Sequence, residues 1–227
     1  MKSEIGVVVT GSQRPDQLDV DALGKFSVAT IHEAMGREGL LRPYVRPIYQ
    51  GAKVCGPAVT VLTQPGDNWM LHVAAEQIRH GDVVVVGCTS DNTDGMFGDL
   101  LATLYRARGA QGLVIDAGVR DVSDLIAMQF PVFPRTISAR GTVKSTLGSV
   151  NVPIVCAGQI VEPCDIVIGD DDGVVVVSAS RAKDVVAACV AREEKESKLR
   201  ERFGNGELGL DIFGMRETLK KAGLRYL

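Results

Sequence analysis

The sequence predicts an α/β protein with one compact domain and either a mixed sheet or a partly closed barrel. Short runs of β-branched residues alternate with helical stretches along the chain. In the second half the strands follow one another more closely than a repeating strand-helix-strand pattern allows. A length of 227 residues, 45% of them hydrophobic, is sufficient for one sizeable core. A purely parallel, doubly wound sheet is therefore disfavoured.

The strands are expected where valine and isoleucine cluster between turn residues. The expected strands are 54–62, 83–86, 112–115, 132–133, 154–155, 166–168 and 174–177. Asp172 and Gly173 stand between the last two runs and predict a hairpin there.

The helices are expected where apolar residues recur with helical spacing. The expected helices are 21–36, 68–79, 99–108, 122–128 and a long, highly charged one over about 181–202. A glycine-rich break then precedes a short amphipathic helix around 212–222. We therefore expect one domain over 1–203 and a helical extension over 204–227 that packs on the domain or on a neighbouring subunit.

Composition excludes several classes of protein. The 25 basic and 28 acidic residues give a net charge of −3 with no basic stripe, which argues against nucleic-acid or anionic-membrane partners. The five cysteines form no Cys-x-x-Cys pair and fit a reducing cytoplasm, and no apolar run is long enough for a signal peptide or a membrane span. With three histidines, a multi-histidine metal centre is disfavoured, so carboxylates must hold any metal.

Two apparent motifs are better explained as loops. Residues 204–209 match Gly-x-Gly-x-x-Gly, but they follow a charged helix instead of a strand and are predicted to link two helices. The acidic residues 170–172 lack the ligand spacing of a calcium loop and are predicted to form the hairpin turn.

One constellation carries possible chemistry. Residues 95–103 open a helix after a polar loop, and free N–H groups at a helix start can bind a carboxylate. The interval from Asp99 to Arg120 equals one helix, one turn and one strand, which can place Asp99, Arg120 and Asp121 at one sheet edge. Two carboxylates suit Mg²⁺ or Mn²⁺, and a guanidinium can stabilise an oxyanion. The spacing alone fits equally an N-cap residue beside a surface cation.

A family resemblance bears on this choice. It is carried by GDLL at 98–101, the Asp-x20-Arg-Asp spacing of Asp99, Arg120 and Asp121, FPVF at 130–133, GDDDGV at 169–174 and the upstream helix ATIHEA at 29–34. In these motifs the chain resembles the 4-hydroxy-4-methyl-2-oxoglutarate / 4-carboxy-4-hydroxy-2-oxoadipate aldolase family.

The resemblance implies a β/β/α swivelling fold like that of phosphohistidine domains, assembled as homotrimers or homohexamers. It implies a class II pyruvate aldolase that uses Mg²⁺ or Mn²⁺ in aromatic-acid catabolism. The carboxy-hydroxy-oxoadipate would yield pyruvate and oxaloacetate, and the hydroxy-methyl-oxoglutarate two pyruvates. Decarboxylation of oxaloacetate is implied as a side activity.

The resemblance also implies roles for individual residues. Gly98, Asp99, Leu100 and Leu101 would form the substrate-binding loop, and Arg120 would contact the pyruvyl oxygen. Asp121 would hold the metal directly or through water, with Asp99 as a further carboxylate of its shell. Glu196 would reach the site from an adjacent subunit, although a helical pair between Glu196 and Arg200 is an equally good reading.

Two alternatives remain at this stage. A lysine Schiff-base aldolase could use Lys53 or Lys144. The same fold also resembles the regulator of ribonuclease activity A, a protein-binding inhibitor that is shorter and lacks the C-terminal extension. Arg14, Arg37 or another distal cation could bind an additional substrate carboxylate, and the spacing selects none of them.

Overall fold

The computed structural model describes residues 5–227. Residues 1–4 lie outside it, and they begin the segment for which we expected no signal peptide. The strands are β1 Val54–Thr63, β2 Val83–Cys88, β3 Gly95–Phe97, β4 Gly112–Val119, β5 Val132–Ile137, β6 Ser149–Val150, β7 Ile154–Cys156, β8 Gln159–Val161, β9 Ile166–Asp170 and β10 Gly173–Val177. The helices are α1 Gln17–Leu23, α2 Val28–Ala34, α3 Trp69–Ala74, α4 Asp99–Arg108, α5 Val122–Ala127, α6 Ala182–Gly204, α7 Gly209–Ile212 and α8 Arg216–Lys221.

Within residues 5–227, eight strands form one open mixed sheet. The strand order is β10-β9-β1-β2-β4-β3, with β5 paired to β4 and β6 paired to β1. Strands β1 to β5 run parallel to their neighbours in this group, whereas β9, β10 and β6 pair antiparallel. The predicted mixed α/β fold with a helical C-terminal region is confirmed. The parallel part brings the carboxyl ends of β1, β2, β3 and β4 to one edge.

The sheet is covered on both faces by apolar clusters. Helices α3, α4 and α5 cover one face, and the fully buried Tyr105 of α4 donates a hydrogen bond to the Leu71 carbonyl at 2.8 Å. The antiparallel β7-β8 hairpin covers the other face around Phe133. Helices α1, α2 and α6 pack on β9 and β10. These contacts fix the strand ends that carry the polar residues described below.

Some sequence predictions of elements are confirmed. Helix α4 has the predicted bounds, β9 and β10 form the predicted hairpin, and residues 205–208 link two helices as expected. The turn of the hairpin is Asp171-Asp172, one residue earlier than Asp172-Gly173, because Gly173 already pairs with Asp170. Among residues 5–227, no helix has the length and apolar character that crossing a membrane requires.

Other predictions of elements are wrong. The single helix over 21–36 is two helices, because the Ser27 hydroxyl accepts a hydrogen bond from the Thr30 N–H and starts α2 as a new helix. The helix over 212–222 is likewise interrupted between Ile212 and Arg216. Residues 95–97, which we expected to lead directly into α4, form a short strand instead.

Candidate active site

A pocket of about 100 Å³ lies where β3 and β4 end. Its lining includes Gly98, Asp99, Leu100, Leu101, Arg120 and Asp121, together with Asn68, His72 and Lys144. The structure thus brings together every residue of the predicted site except Glu196.

Parallel pairing of β3 and β4 explains this convergence. Phe97 at the end of β3 lies in register with Val119 at the end of β4. The next residue, Arg120, donates its backbone N–H to the Phe97 carbonyl at 2.9 Å. The start of α4 and the start of α5 therefore leave the same sheet edge side by side.

Asp121 occupies a backbone conformation that few residues adopt. Its φ of 56° is left-handed, a region where aspartate is less disfavoured than most residues. Although Asp121 precedes α5, its carboxylate does not cap that helix. Instead, Oδ2 accepts from the Asp99 N–H at 3.3 Å and lies 3.4 Å from the Arg120 Nε. The strained backbone thus directs a carboxylate toward the pocket and the start of α4.

Gly98 is required because the Asp121 carboxylate occupies the space of a side chain. A Cβ at residue 98 would collide with Asp121 Oδ2 and lie 3.2 Å from the Arg120 Cγ. We expect Gly98→Ala to displace both groups and to lower kcat roughly 10²-fold, the scale set by small misplacements at catalytic sites.

The matched control for Gly98→Ala is Gly141→Ala. A Cβ at residue 141 would make only an ordinary 3.9 Å contact, with Arg120 Nη1. Steady-state kinetics of the two variants, with circular dichroism to verify folding, checks the prediction. Wild-type kcat in Gly98→Ala would show that the crowding at Asp121 is unimportant for turnover.

The N-terminus of α4 offers donors to an anion. No side chain caps this ten-residue helix. The first N–H groups of a helix lack intrahelical partners, and the helix dipole favours negative charge there. Since the Asp99 N–H is bonded to Asp121, the N–H groups of Leu100 and Leu101 are the donors left for a ligand carboxylate.

Asn68 contributes a buried acceptor to the same pocket. Its side chain is only 9% exposed, and its Nδ2 donates to the Met96 carbonyl at 3.0 Å. Within the described part of the chain, its Oδ1 has no hydrogen-bond partner. A buried polar atom without a partner is costly, so a ligand donor at this position would relieve an existing penalty.

His72 and Lys144 supply the titratable bases of the pocket. Burial lowers the pKa of His72, and the nearby positive charge of Lys144 lowers it further. The imidazole is therefore predominantly neutral at pH 7 and able to accept a proton.

This dependence can be measured by NMR. Removing the Lys144 charge with Lys144→Met stabilises the protonated imidazole, so we expect the pKa of His72 to rise while burial keeps it below 6.5. With three histidines in the chain, titration of the His Cε1–H resonances resolves the effect. Lys53→Met, whose lysine lines a different cavity, serves as the control. An unchanged His72 pKa in Lys144→Met would contradict the proximity of the two side chains.

The donor set fits a hard divalent cation only in part. Among residues 5–227, no group of three or more His, Cys, Asp or Glu side chains is arranged to hold a metal ion. The pocket does contain the carboxylates of Asp99 and Asp121, and Mg²⁺ is commonly bound through one or two carboxylates plus water and substrate oxygens. The residues present are therefore compatible with Mg²⁺ or Mn²⁺.

Glu196 lies on α6 and does not line this pocket. Its two oxygens pair with Arg192 at 2.8 Å and Arg200 at 2.9 Å on its own helix. The helical pair with Arg200 is thus present, and a metal-binding role for Glu196 from an adjacent subunit stays a prediction.

Asn68 was not among the site residues predicted from the sequence, and Lys144 was predicted only as a possible Schiff-base lysine. Asn68 follows β1, whose carboxyl end lies at the same sheet edge as the ends of β2 and β4. Its position as a polar residue shortly after a parallel strand is the sequence feature that could have indicated a place in the site. The two arginines suggested for an extra carboxylate are elsewhere, because Arg14 pairs with Asp82 and Arg37 with Glu33. Lys144 is instead the additional cation at the pocket.

A second polar cluster lies on the other face of the sheet. Asp116 in β4 accepts hydrogen bonds from the Tyr44 hydroxyl at 3.0 Å and the Ala157 N–H at 2.9 Å, and lies 3.3 Å from Arg135 Nη1. Burial, with the hydrogen bond to Asp116, raises the pKa of Tyr44 to about 12. These bonds attach the β7-β8 hairpin to the sheet, which is a structural role.

The chain is thus an α/β protein with a polar pocket at the carboxyl ends of parallel strands. Residues 28–176 match the model of the RraA-like family, described as Aldolase/RraA. The chain belongs to this RraA-like family.

Individual relatives agree with this assignment. A Halalkalibacterium halodurans protein with the provisional name 4-hydroxy-4-methyl-2-oxoglutarate aldolase is 30% identical over 208 residues, which covers 90% of this chain and 97% of that protein. A Burkholderia multivorans protein with the same provisional name is 31% identical, covering 65% of this chain and 89% of that one.

Solved structures give the same grouping. The crystal structure of Streptomyces coelicolor RraAS2, described as an unusual member of the RNase ES inhibitor RraA protein family, matches with a TM-score of 0.75 and 29% identity. The match covers 84% of this chain and 99% of that one. Both catalytic and inhibitor names therefore occur among proteins similar to this chain.

Proposed function

We propose that the protein is a divalent-metal-dependent pyruvate aldolase that cleaves 4-hydroxy-2-oxo acids with additional carboxylates. The observation that carries this proposal is the meeting of an uncapped helix start, Arg120 and the carboxylates of Asp99 and Asp121 in one pocket. The names of the two bacterial relatives support the same class of reaction.

The substrate's C1 carboxylate would bind the N–H groups of Leu100 and Leu101 at the start of α4. In the retro-aldol step the C4 hydroxyl loses its proton, the C3–C4 bond breaks, and its electron pair passes to C3 to form the pyruvate enolate. Arg120 would stabilise the enolate oxygen, and protonation at C3 gives pyruvate. The neutral His72 is available in the pocket as a proton acceptor.

Asp121 and Asp99 would hold Mg²⁺ or Mn²⁺. When bound, the cation would polarise the C2 carbonyl of the substrate as a Lewis acid. Asn68 would accept a hydrogen bond from the substrate through its unpartnered Oδ1, and Lys144 would pair with a carboxylate on the C4 substituent.

We further propose that the protein works in the cytoplasm as a homotrimer or homohexamer. The cysteines of the described residues are free thiols, which suits a reducing compartment. Glu196 from an adjacent copy would add a third carboxylate, since residues 5–227 of a single chain hold no group of three or more metal-ligating side chains.

The similarity to RraAS2 favours one second candidate, a regulator that binds a ribonuclease and has no aldolase activity. A substrate panel distinguishes the two. The carboxy-hydroxy-oxoadipate, the hydroxy-methyl-oxoglutarate and oxaloacetate are compared with Mg²⁺ by kcat/KM, using lactate dehydrogenase to detect pyruvate. We expect cleavage of at least one hydroxy acid, with oxaloacetate decarboxylated as well. Absence of pyruvate from all three would favour the regulator.

A further inference from the structure

Asp67 is a buried carboxylate that joins two loops beside the pocket. It lies between β1 and α3 and is 2% exposed. Its Oδ1 accepts from the Trp69 N–H at 2.9 Å. Its Oδ2 accepts from the Ser145 N–H at 2.8 Å, the Ser145 hydroxyl at 3.2 Å and the Thr146 N–H at 2.7 Å. Both carboxylate oxygens are therefore engaged, one by each loop.

Backbone hydrogen bonds extend this junction. The Val143 N–H donates to the Gly66 carbonyl at 2.9 Å, and the Asn68 N–H donates to the Val143 carbonyl at 3.1 Å. The segment 143–146 is thus aligned with the segment 66–68. Residues 143–147 are exposed, and a further hydrogen bond, from Gln64 Nε2 to the Leu147 carbonyl, is 3.5 Å long. The shorter bonds to residues 66–68 are therefore the main attachment of this stretch to the domain.

The junction controls two pocket residues at once. Lys144 lies between Val143 and Ser145, and Asn68 directly follows Asp67, so the groups that line the pocket are flanked by the bonds to Asp67. An exposed lysine in an irregular segment samples many side-chain rotamers and backbone conformations unless hydrogen bonds fix its loop. Fixing the loop therefore fixes where the Lys144 amine can reach.

We infer that Asp67 is a positioning residue that holds the Lys144 loop against Asn68 and so sets the binding of the substrate's distal carboxylate. The inference rests on the proposed function for the pocket, and it assigns Asp67 no contact with substrate. An asparagine at residue 67 would present only one oxygen, so it could serve Trp69 or the 145–146 amides but not both. Charge-assisted hydrogen bonds of the native carboxylate would also be lost.

The kinetic experiment is a double-mutant cycle with Asp67→Asn and Lys144→Met. With the carboxy-hydroxy-oxoadipate as substrate, we expect Asp67→Asn to raise KM roughly tenfold while kcat changes much less. In the Lys144→Met background the same substitution should raise KM much less, because the amine that it misplaces is gone and only the position of Asn68 can still change. Additive effects on KM would overturn the positioning role.

A second readout is independent of activity. We expect trypsin to cleave the folded Asp67→Asn variant after Lys144 faster than it cleaves the wild type. The only tryptophan, Trp69, should at the same time show altered acrylamide quenching of its fluorescence. Asp165→Asn is the matched control, since Asp165 is 8% exposed and accepts from the Glu162 and Ala179 N–H groups away from this loop. Cleavage after Lys144 at the wild-type rate would contradict the inference.

These readouts separate failure of the inference from failure of the proposed function. One outcome is that the wild type cleaves no substrate while Asp67→Asn still releases the loop. In that case the aldolase proposal fails, and with it the role of Asp67 in substrate binding. The attachment of the loop by Asp67 is then still supported. Should Asp67→Asn not fold, Ser145→Ala removes only the hydroxyl donor and should shift KM and proteolysis in the same direction by a smaller factor. No shift in either measurement would overturn the proposal.

Discussion

Replacing Arg120 by alanine should lower kcat for pyruvate release by roughly 10²-fold or more, because the enolate oxygen would lose a preorganised positive donor. The effect should be larger on kcat than on KM, since the charge on this oxygen develops only during bond cleavage. The carboxylate of Asp121, whose Oδ2 lies 3.4 Å from Arg120 Nε, would also lose this ion pair. Steady-state kinetics with the lactate dehydrogenase coupling measures the loss.

Two further variants define the reason for this loss. Arg120→Lys keeps the charge but not the planar fork, so we expect it to recover little of the activity. Arg140→Ala removes an exposed arginine whose partner is Asp94 on a neighbouring loop, and should retain wild-type kcat. A wild-type rate in Arg120→Ala would refute the assigned role.

Removal of divalent metal by EDTA should abolish turnover, and addition of Mg²⁺ or Mn²⁺ should restore it. The expectation follows from the hard carboxylate oxygens of Asp99 and Asp121, which line the pocket in which we propose that an anionic substrate binds. Activity is measured before chelation, after it, and after addition of each metal. Unchanged activity after thorough chelation would show that turnover does not require a divalent metal.

Variants of the carboxylates locate the metal. Asp121→Asn should raise the Mg²⁺ concentration required for half-maximal activity most strongly. Glu196→Gln should raise it as well if an adjacent copy supplies this group, whereas Glu194→Gln, on the same helix, should leave it unchanged. Equal metal dependence in Glu196→Gln and Glu194→Gln would leave Glu196 with only its observed pairing to Arg192 and Arg200.

The parallel strands explain why the sequence could locate most of the candidate site. Strand β4 and helix α4 are strongly patterned, so the path from Asp99 to Arg120 could be counted along the chain. A right-handed return between parallel strands then places both ends at one edge. The left-handed φ of Asp121 and the lack of room for a side chain at residue 98 depend on packing between chain segments. No local sequence pattern predicts either of them.

The missed parts of the site come from irregular segments. Asn68 lies in a turn before the short helix α3, and Lys144 lies in an exposed stretch without regular structure. Their meeting depends on Asp67, whose carboxylate accepts hydrogen bonds from Ser145 and Thr146. These two residues follow Asp67 by 78 and 79 positions in the chain. Such long-range side-chain contacts have no periodicity, so sequence patterns cannot predict them.

The fold errors have the same origin. The apolar face over 21–36 is continuous enough to suggest one helix, but local capping by Ser27 favours a new start. In addition, the Val28 N–H donates to Asp170 Oδ2 at 2.9 Å, which anchors the second helix to the end of β9. A tertiary contact therefore reinforces a break that periodicity alone did not reveal.

The most direct test of the central claim is pyruvate release from the carboxy-hydroxy-oxoadipate by the purified full chain with Mg²⁺. We expect metal-dependent release of pyruvate and oxaloacetate, with pyruvate in excess as oxaloacetate is decarboxylated. This release should be lost in Arg120→Ala and kept in Arg140→Ala. No release above the uncatalysed rate from this compound, the hydroxy-methyl-oxoglutarate or oxaloacetate would contradict the aldolase assignment.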